Sequence, residues 1–129
     1  MDKVINGNVG NDVITGLGGA DTLSGAAGAD TFVFTAVSDS ATGAPDHITD
    51  FDPNADFIDL HLIDADTVNG GDQGFTFVGS FSSTAGEATL TYDAGHNQTT
   101  FAGDVNGDGV ADISIVINGN LNTTHGWVL

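Results

Sequence analysis

The sequence predicts an all-β protein: a short parallel β-roll of nine-residue repeats, capped by an antiparallel β-sheet or sandwich region. Three observations carry that prediction. Residues 7–33 repeat in nines, with Gly in the first and fourth slots, Asp in the sixth and a large apolar residue in the eighth. From Phe75 onward, short runs of β-branched and aromatic residues are separated by Gly, Asn and Asp turns. Seventeen of the eighteen acids are Asp, which suits turns, whereas Glu, which suits helices, occurs once, at Glu87.

The chain opens on a strand-like Val4-Ile5. Three repeats follow, Gly7 to Thr15, Gly16 to Ser24 and Gly25 to Val33. Their glycines (Gly7, Gly16, Gly25; Gly10, Gly19, Gly28) let the backbone turn with φ > 0 and crowd its carbonyls. Asp12, Asp21 and Asp30 close each loop with a short carboxylate. Ile14, Leu23 and Phe32 point inward from short strands, and only stacked repeats bury them. Two repeats make one coil, so loops eighteen residues apart stack. Asp12 is expected to face Asp30, and Asp21 to face Asp39, in a fourth copy (Phe34 to Asp39) whose glycines have decayed. Lys3 stands eighteen residues before Asp21. Its ammonium is expected to replace a cation there; a solvated side chain is the alternative.

Thr31 to Phe34 reads as the last roll strand, followed by a polar loop to Asp46. Strands are predicted over Ile48 to Phe51 and Phe57 to Leu60, and Leu60 to Asp66 fits a short helix within an acidic loop. The antiparallel region then comprises Phe75 to Val78, Ala88 to Tyr92, Thr99 to Gly103 and Ile113 to Ile117, with a hairpin turn at Asp93 to Asn97. Ile113, Ile115 and Ile117 form one apolar face. The organisation expected is a single module over residues 1–129, with the roll at 4–39 and the cap at 40–129.

A formal charge of −17 with one Lys and no Arg excludes a nucleic-acid partner and disfavours an anionic membrane surface. It also opposes collapse, so cations are expected to stabilise the fold. There is no Cys, no run long enough to span a membrane, and no secretory signal at Met1-Asp2-Lys3.

Crowded carbonyls plus carboxylates are hard oxygen donors, which suit Ca²⁺. The ligand candidates in the roll are the loop positions Gly7, Val9, Gly16, Gly18, Ala26 and Gly28, with the carboxylates of Asp12, Asp21, Asp30 and Asp39. Asp46 and Asp50 lie near the slot eighteen residues after Asp30, either as a last site or as turn caps. A second candidate is Asp104-Val-Asn106-Gly-Asp108-Gly-Val-Ala-Asp112. It has oxygen side chains at positions 1, 3, 5 and 9 and Gly at 6, like the front of an EF-hand loop. Ile115 stands where the bidentate Glu belongs and the flanks read as strands, which excludes an EF-hand. Its alternative is a plain acidic hairpin turn.

No catalytic constellation is present. His47, His61, His96 and His125 are scattered, and there is no His-Glu-x-x-His helix, Cys nucleophile or Gly-x-Ser-x-Gly elbow. Trp127 reads as a packing residue rather than a sugar platform.

The three repeats closely resemble the calcium-binding nonapeptides of RTX proteins. Asp46-His-Ile-Thr-Asp50-Phe51 and Asp56-Phe-Ile-Asp59-Leu60 extend the likeness to the C-terminal domain of serralysin-type metalloproteases and the R-modules of mannuronan epimerases. Phe81 to Glu87 with the Leu90/Tyr92 strand leans to the former, and the likeness covers nearly the whole chain. The resemblance implies a non-catalytic calcium module of a secreted, extracellular protein, folding on Ca²⁺ and serving type I secretion and the stability of its parent. The partners implied are Ca²⁺, an upstream domain and the type I machinery. An RTX secretion signal often ends in an acid before a few apolar residues; here His125-Gly126 stand in the acid's place. The rival reading is a polysaccharide-binding module of the R-module kind. With one Lys and no Arg, an anionic glycan would need bound metal to bridge it.

Overall fold

The computed structural model describes residues 2–121 and 126–129, so His125 lies outside the described residues. Strands β1 (Val4–Asn6), β2 (Val13–Ile14), β3 (Thr22–Ser24) and β4 (Thr31–Val33) come from the repeats. They are followed by a 3₁₀ turn (Val37–Ser40), β5 (Asp46–Ile48) and β6 (Phe57–Asp59). The rest comprises β7 (Thr76–Phe77), β8 (Glu87–Asp93), β9 (Gln98–Asp104), β10 (Ile113–Asn118) and β11 (Trp127–Val128).

Successive strands of the coil alternate between two sheets. The larger runs β1-β3-β5-β10-β9-β8-β7 and the smaller β11-β6-β4-β2. Parallel pairing in the repeats keeps the eighteen-residue register: Ile5 lies opposite Leu23, and Ile14 opposite Phe32. Each strand turns one apolar side chain inward, because alternate residues face opposite sides of a strand. Ile14, Leu23, Phe32, Ile48 and Ile58 are all buried in one continuous core. Each contributes about 1.5–3 kcal/mol of transfer free energy, available only once a neighbouring turn covers it.

Parallel stacking continues beyond residue 39. Leu23 pairs with Ile48 and Phe32 with Ile58, so the spacing widens from eighteen residues to twenty-five and twenty-six. The extra residues include the Val37–Ser40 turn, docked on β10 through the Ser40 hydroxyl, which donates to the Ser114 carbonyl and accepts from the Asp46 N–H. The first predicted cap strand therefore spans Asp46–Ile48 rather than Ile48 to Phe51.

β5 pairs in parallel with β10, which joins roll and cap in one sheet. β8, β9 and β10 are antiparallel, as expected, and Ile113, Ile115 and Ile117 are fully buried. β7 departs from expectation by pairing with β8 in parallel. No helix forms over Leu60 to Asp66: Asp64 accepts the Asp66 N–H at 3.1 Å and Asp66 the Val68 N–H at 3.0 Å, local bonds that compete with a helix. Trp127 packs as read, stacked on Phe101 with ring centroids 4.9 Å apart.

Candidate metal centre

The stacked aspartates form two ladders. In one, the Lys3 N–H donates to Asp21 Oδ1 (2.7 Å) and the Asp21 N–H to Asp46 Oδ1 (2.8 Å). In the other, the Asp12 N–H donates to Asp30 Oδ1 and the Asp30 N–H to Asp56 Oδ1, both at 2.9 Å. One carboxylate oxygen thus takes the amide of the residue one coil earlier. The expected facing of Asp12 and Asp30 is present.

The second oxygen is different. Asp12, Asp21, Asp30 and Asp46 each hold a buried Oδ2 with no hydrogen-bond donor. A buried anionic oxygen without a donor costs several kcal/mol unless a cation meets it. The first-slot glycines make room for these atoms: a Cβ on Gly7 would lie 2.6 Å from Asp12 Oδ2, and one on Gly16 2.6 Å from Asp21 Oδ2. Gly25 stands in the same relation to Asp30. The loops turn with positive φ at the second slot (Asn8 71°, Leu17 62°, Ala26 66°) and at the fourth (Gly10 125°, Gly19 122°, Gly28 145°). Loops one and three stack closely, with the Gly10 N–H on the Ala27 carbonyl at 2.8 Å.

Asp39 does not stack on Asp21; Asp46 takes that place. Asp39 Oδ2 instead accepts the Thr35 N–H (2.8 Å), the Thr35 hydroxyl (2.7 Å) and the Ala36 N–H (3.2 Å), holding the 3₁₀ turn. Asp46 also does not follow Asp30: that slot belongs to Asp56, which the sequence reading missed. The signal was an Asp two residues before an inward apolar side chain. It is shared by Asp12/Ile14, Asp21/Leu23, Asp30/Phe32, Asp46/Ile48 and Asp56/Ile58 and absent at Asp39, two residues before Ala41. Asp56 ends its ladder satisfied, its Oδ2 accepting the Asp52 N–H at 2.9 Å. Asp50 caps the third loop through the Gly25 and Ala26 amides at 3.0 and 2.9 Å.

The electrostatics match the geometry. Burial pushes the Asp46 carboxyl up from 3.8 to about 7; the Asp21 N–H and Lys3 oppose this, while the charges of Asp21 and Asp39 add to it. The donor set is all oxygen, with no sulfur or imidazole, and four of its buried oxygens are short of positive charge. That fits a hard divalent cation such as Ca²⁺.

The second candidate lies in the hairpin between β9 and β10, flanked by strands as expected. Carboxylate oxygens of Asp104, Asp108 and Asp112 lie within 4.8 Å of one another, and among the described residues no His joins such a group. Asp104 is fully buried and accepts the N–H of Gly107 (2.7 Å), Gly109 (2.8 Å) and Asn106 (3.2 Å). Asp112 accepts the Val105 N–H at 2.9 Å and the Asn106 side-chain amide at 3.2 Å, and Asn106 Oδ1 accepts the Asp108 N–H at 3.1 Å. This loop holds its shape on its own amides, whereas the roll leaves buried oxygens bare.

Each of the three described histidines has a side-chain partner. The His47 ring meets Asn118 at 2.6 Å across the β5–β10 pair, while His61 meets Asp59 two residues away and His96 meets Asp93 three residues away at 2.7 Å. No described helix is long and apolar enough to cross a membrane.

Residues 1–129 match the family model described as peptidase M10 serralysin C terminal. The chain is 51% identical over 88 residues to a metallopeptidase AprA of Pseudomonas marginalis, covering 68% of this chain and 17% of that protein. It is 37% identical over 98 residues to serralysin C of Dickeya chrysanthemi, covering 76% of this chain and 19% of that protein. The chain therefore spans about a fifth of the length of these relatives. Among solved structures it is similar to the AlgE6R3 subunit of an Azotobacter vinelandii mannuronan C5-epimerase, with TM-score 0.59 and 20% identity over 98% of this chain and 77% of that one. The AlgE6R2 subunit gives TM-score 0.62 and 24% identity over 91% and 70%. These two likenesses concern the fold.

Proposed function

The chain belongs to the serralysin C-terminal family of M10 peptidases, and from that premise we propose that it is a non-catalytic, calcium-binding RTX module of a secreted bacterial protein. It completes its fold on binding calcium, and so serves type I secretion and the stability of its parent. The observation that carries the reading is the set of four buried carboxylate oxygens without donors, Oδ2 of Asp12, Asp21, Asp30 and Asp46.

Gly7, Val9 and Asp12 with Ala26, Gly28 and Asp30 would hold one cation between stacked loops. Gly16 and Asp21 with Asp46 would hold another, with the charge of Asp39 nearby, while the Gly18 carbonyl of the same loop accepts from the Lys3 ammonium. Asp104, Asn106, Asp108 and Asp112 would hold a third in the hairpin. Bound Ca²⁺ supplies the positive charge these oxygens lack and stabilises the fold by about 2.7 kcal/mol per site at a hundredfold excess over Kd. Where calcium is scarce, a net charge of −17 opposes compaction and keeps the chain extended enough to be threaded. Extracellular modules bind calcium at roughly 10⁻⁴ to 10⁻³ M, which sets the range where the roll closes.

Circular dichroism during a calcium titration tests this on the wild type, Asp30→Asn and Asp108→Asn. Asp30→Asn keeps an acceptor for the Asp12 N–H and removes the charge. It is expected to shift the folding midpoint to at least about tenfold more calcium, equivalent to 1.4 kcal/mol. Asp108→Asn is expected to lose one ion with little change in that midpoint. A full β signal in excess chelator sinks the proposal.

A further inference from the structure

Lys3 is the sole basic side chain of the chain, and it stands in the ladder position that aspartate holds in later turns. Its backbone follows the ladder rule: its N–H donates to Asp21 Oδ1 at 2.7 Å, and its carbonyl accepts the Thr22 N–H at 2.8 Å. Its ammonium donates to the Gly18 carbonyl at 3.2 Å and lies 3.4 Å from Asp21 Oδ1. One loop carbonyl and one buried carboxylate are the kind of oxygen donors that the neighbouring turns direct at a cation.

We infer that Lys3 is a tethered cation that takes the place of one calcium ion between its own turn and the loop Gly16 to Asp21. The inference rests on the calcium reading of the roll. The Asp21 side chain is fully buried, whereas that of Lys3 is 39% exposed. The lysine stem thus carries charge from the surface to an oxygen that solvent does not reach. A covalently attached ammonium is present at any calcium concentration, so the β1–β3 pairing is neutralised without drawing on free metal. An ammonium is also singly charged and bonds through fixed N–H directions. It serves Gly18 and Asp21 Oδ1 and leaves Asp21 Oδ2 bare for a divalent ion shared with Asp46. Asp21 then lies between two unlike cations, one built into the chain and one taken up.

The test is calcium stoichiometry by titration calorimetry on the whole chain, with the folding midpoint followed in parallel, for the wild type, Lys3→Asp and Lys3→Met. Lys3→Asp restores the ladder carboxylate and is expected to bind one more calcium ion than the wild type. Lys3→Met keeps the stem without the charge; its expected stoichiometry is that of the wild type, with a folding midpoint at about threefold or more higher calcium. An unchanged stoichiometry in a folded Lys3→Asp overturns the inference, as does a wild-type midpoint in Lys3→Met. Should Lys3→Asp not fold at any calcium concentration, the Lys3→Met midpoint decides. A wild type that binds no calcium at the roll defeats the underlying reading instead, and is distinguished by its own titration.

Discussion

Replacing Gly28 by alanine is expected to cost more than the same replacement at Gly10, although the two share a slot and a conformation. Both lie at φ values where side chains are rare, 145° and 125°. Each substitution therefore carries about 1–3 kcal/mol of backbone strain. The surroundings differ. A Cβ on Gly10 meets nothing within 4 Å, whereas one on Gly28 would overlap the Gly10 carbonyl oxygen and lie 2.6 Å from its carbon. Backbone cannot swing aside as a long side chain can, so the stacked loops must separate, adding about 1–3 kcal/mol as in overpacked cores. At about 4 °C per kcal/mol for a domain of this size, Gly28→Ala should melt roughly 4–12 °C below Gly10→Ala. Thermal unfolding of both variants in saturating calcium measures the gap, and the common strain cancels. Equal melting temperatures would refute the close stacking of loops one and three.

Ala26 holds φ 66° at the second slot, and Ala26→Gly should relieve about 1–2 kcal/mol of left-handed strain, offset by about 0.4–1 kcal/mol of unfolded-state entropy. A melting temperature raised by a few degrees is expected, and a lowered one refutes the strain. The Asp46 carboxyl is raised to about 7 in the fold against 3.8 outside it, so between these values the folded chain holds the extra proton. Stability of the metal-free fold therefore falls as pH rises through that window, and calcium binding weakens on acidification from about 8 to about 6. Calorimetry at both ends should show that dependence in the wild type and a flatter one in Asp46→Asn. Of the four Asn-Gly pairs, Asn69-Gly70 should deamidate first, the Gly70 nitrogen attacking the Asn69 side-chain carbonyl and expelling ammonia. Gly7, Gly107 and Gly119 have their N–H groups bound to Ser24, Asp104 and Asn97, and no such bond holds Gly70 among the described residues. Asp66, held below its usual range chiefly by the Asn69 side-chain amide, loses that donor. Peptide mapping after mildly alkaline incubation checks the order, and equal conversion at Asn106 refutes it.

The periodic part of the fold was legible because strict spacing leaves little choice. Slots that recur every nine residues fix which side chain points inward, and Ile14, Leu23 and Phe32 are buried accordingly. The three long antiparallel strands were legible by the same alternation. The widening of the coil after Val33 was not. Asp39 lies at the expected spacing, so position alone selects it over Asp46, seven residues further on. What decides is the residue two places on, since a turn seated with Ala41 inward would leave Leu23 uncovered, whereas Ile48 covers it. The direction of β7 was illegible for a different reason. A two-residue strand has no pattern of its own and takes the pairing its neighbours allow.

The candidate site follows from a division of labour within one side chain. Oδ1 of Asp21, Asp30 and Asp46 accepts a backbone amide from the preceding coil and so fixes the register of stacked turns. Oδ2 of the same residues is buried beside a glycine loop without a donor. The first bond forms only if the turns stack, and stacking buries the second oxygen. The turns of Asp21, Asp30 and Asp46 thus each bury an oxygen without a donor as they gain an amide bond, and their stacking requires positive charge, whereas the Asp56 turn closes its ladder with both oxygens bonded. The hairpin loop lacks this coupling, because Asp104 and Asp112 are satisfied by their own backbone. An ion there would strengthen a structure already closed, whereas an ion in the roll would decide whether it closes.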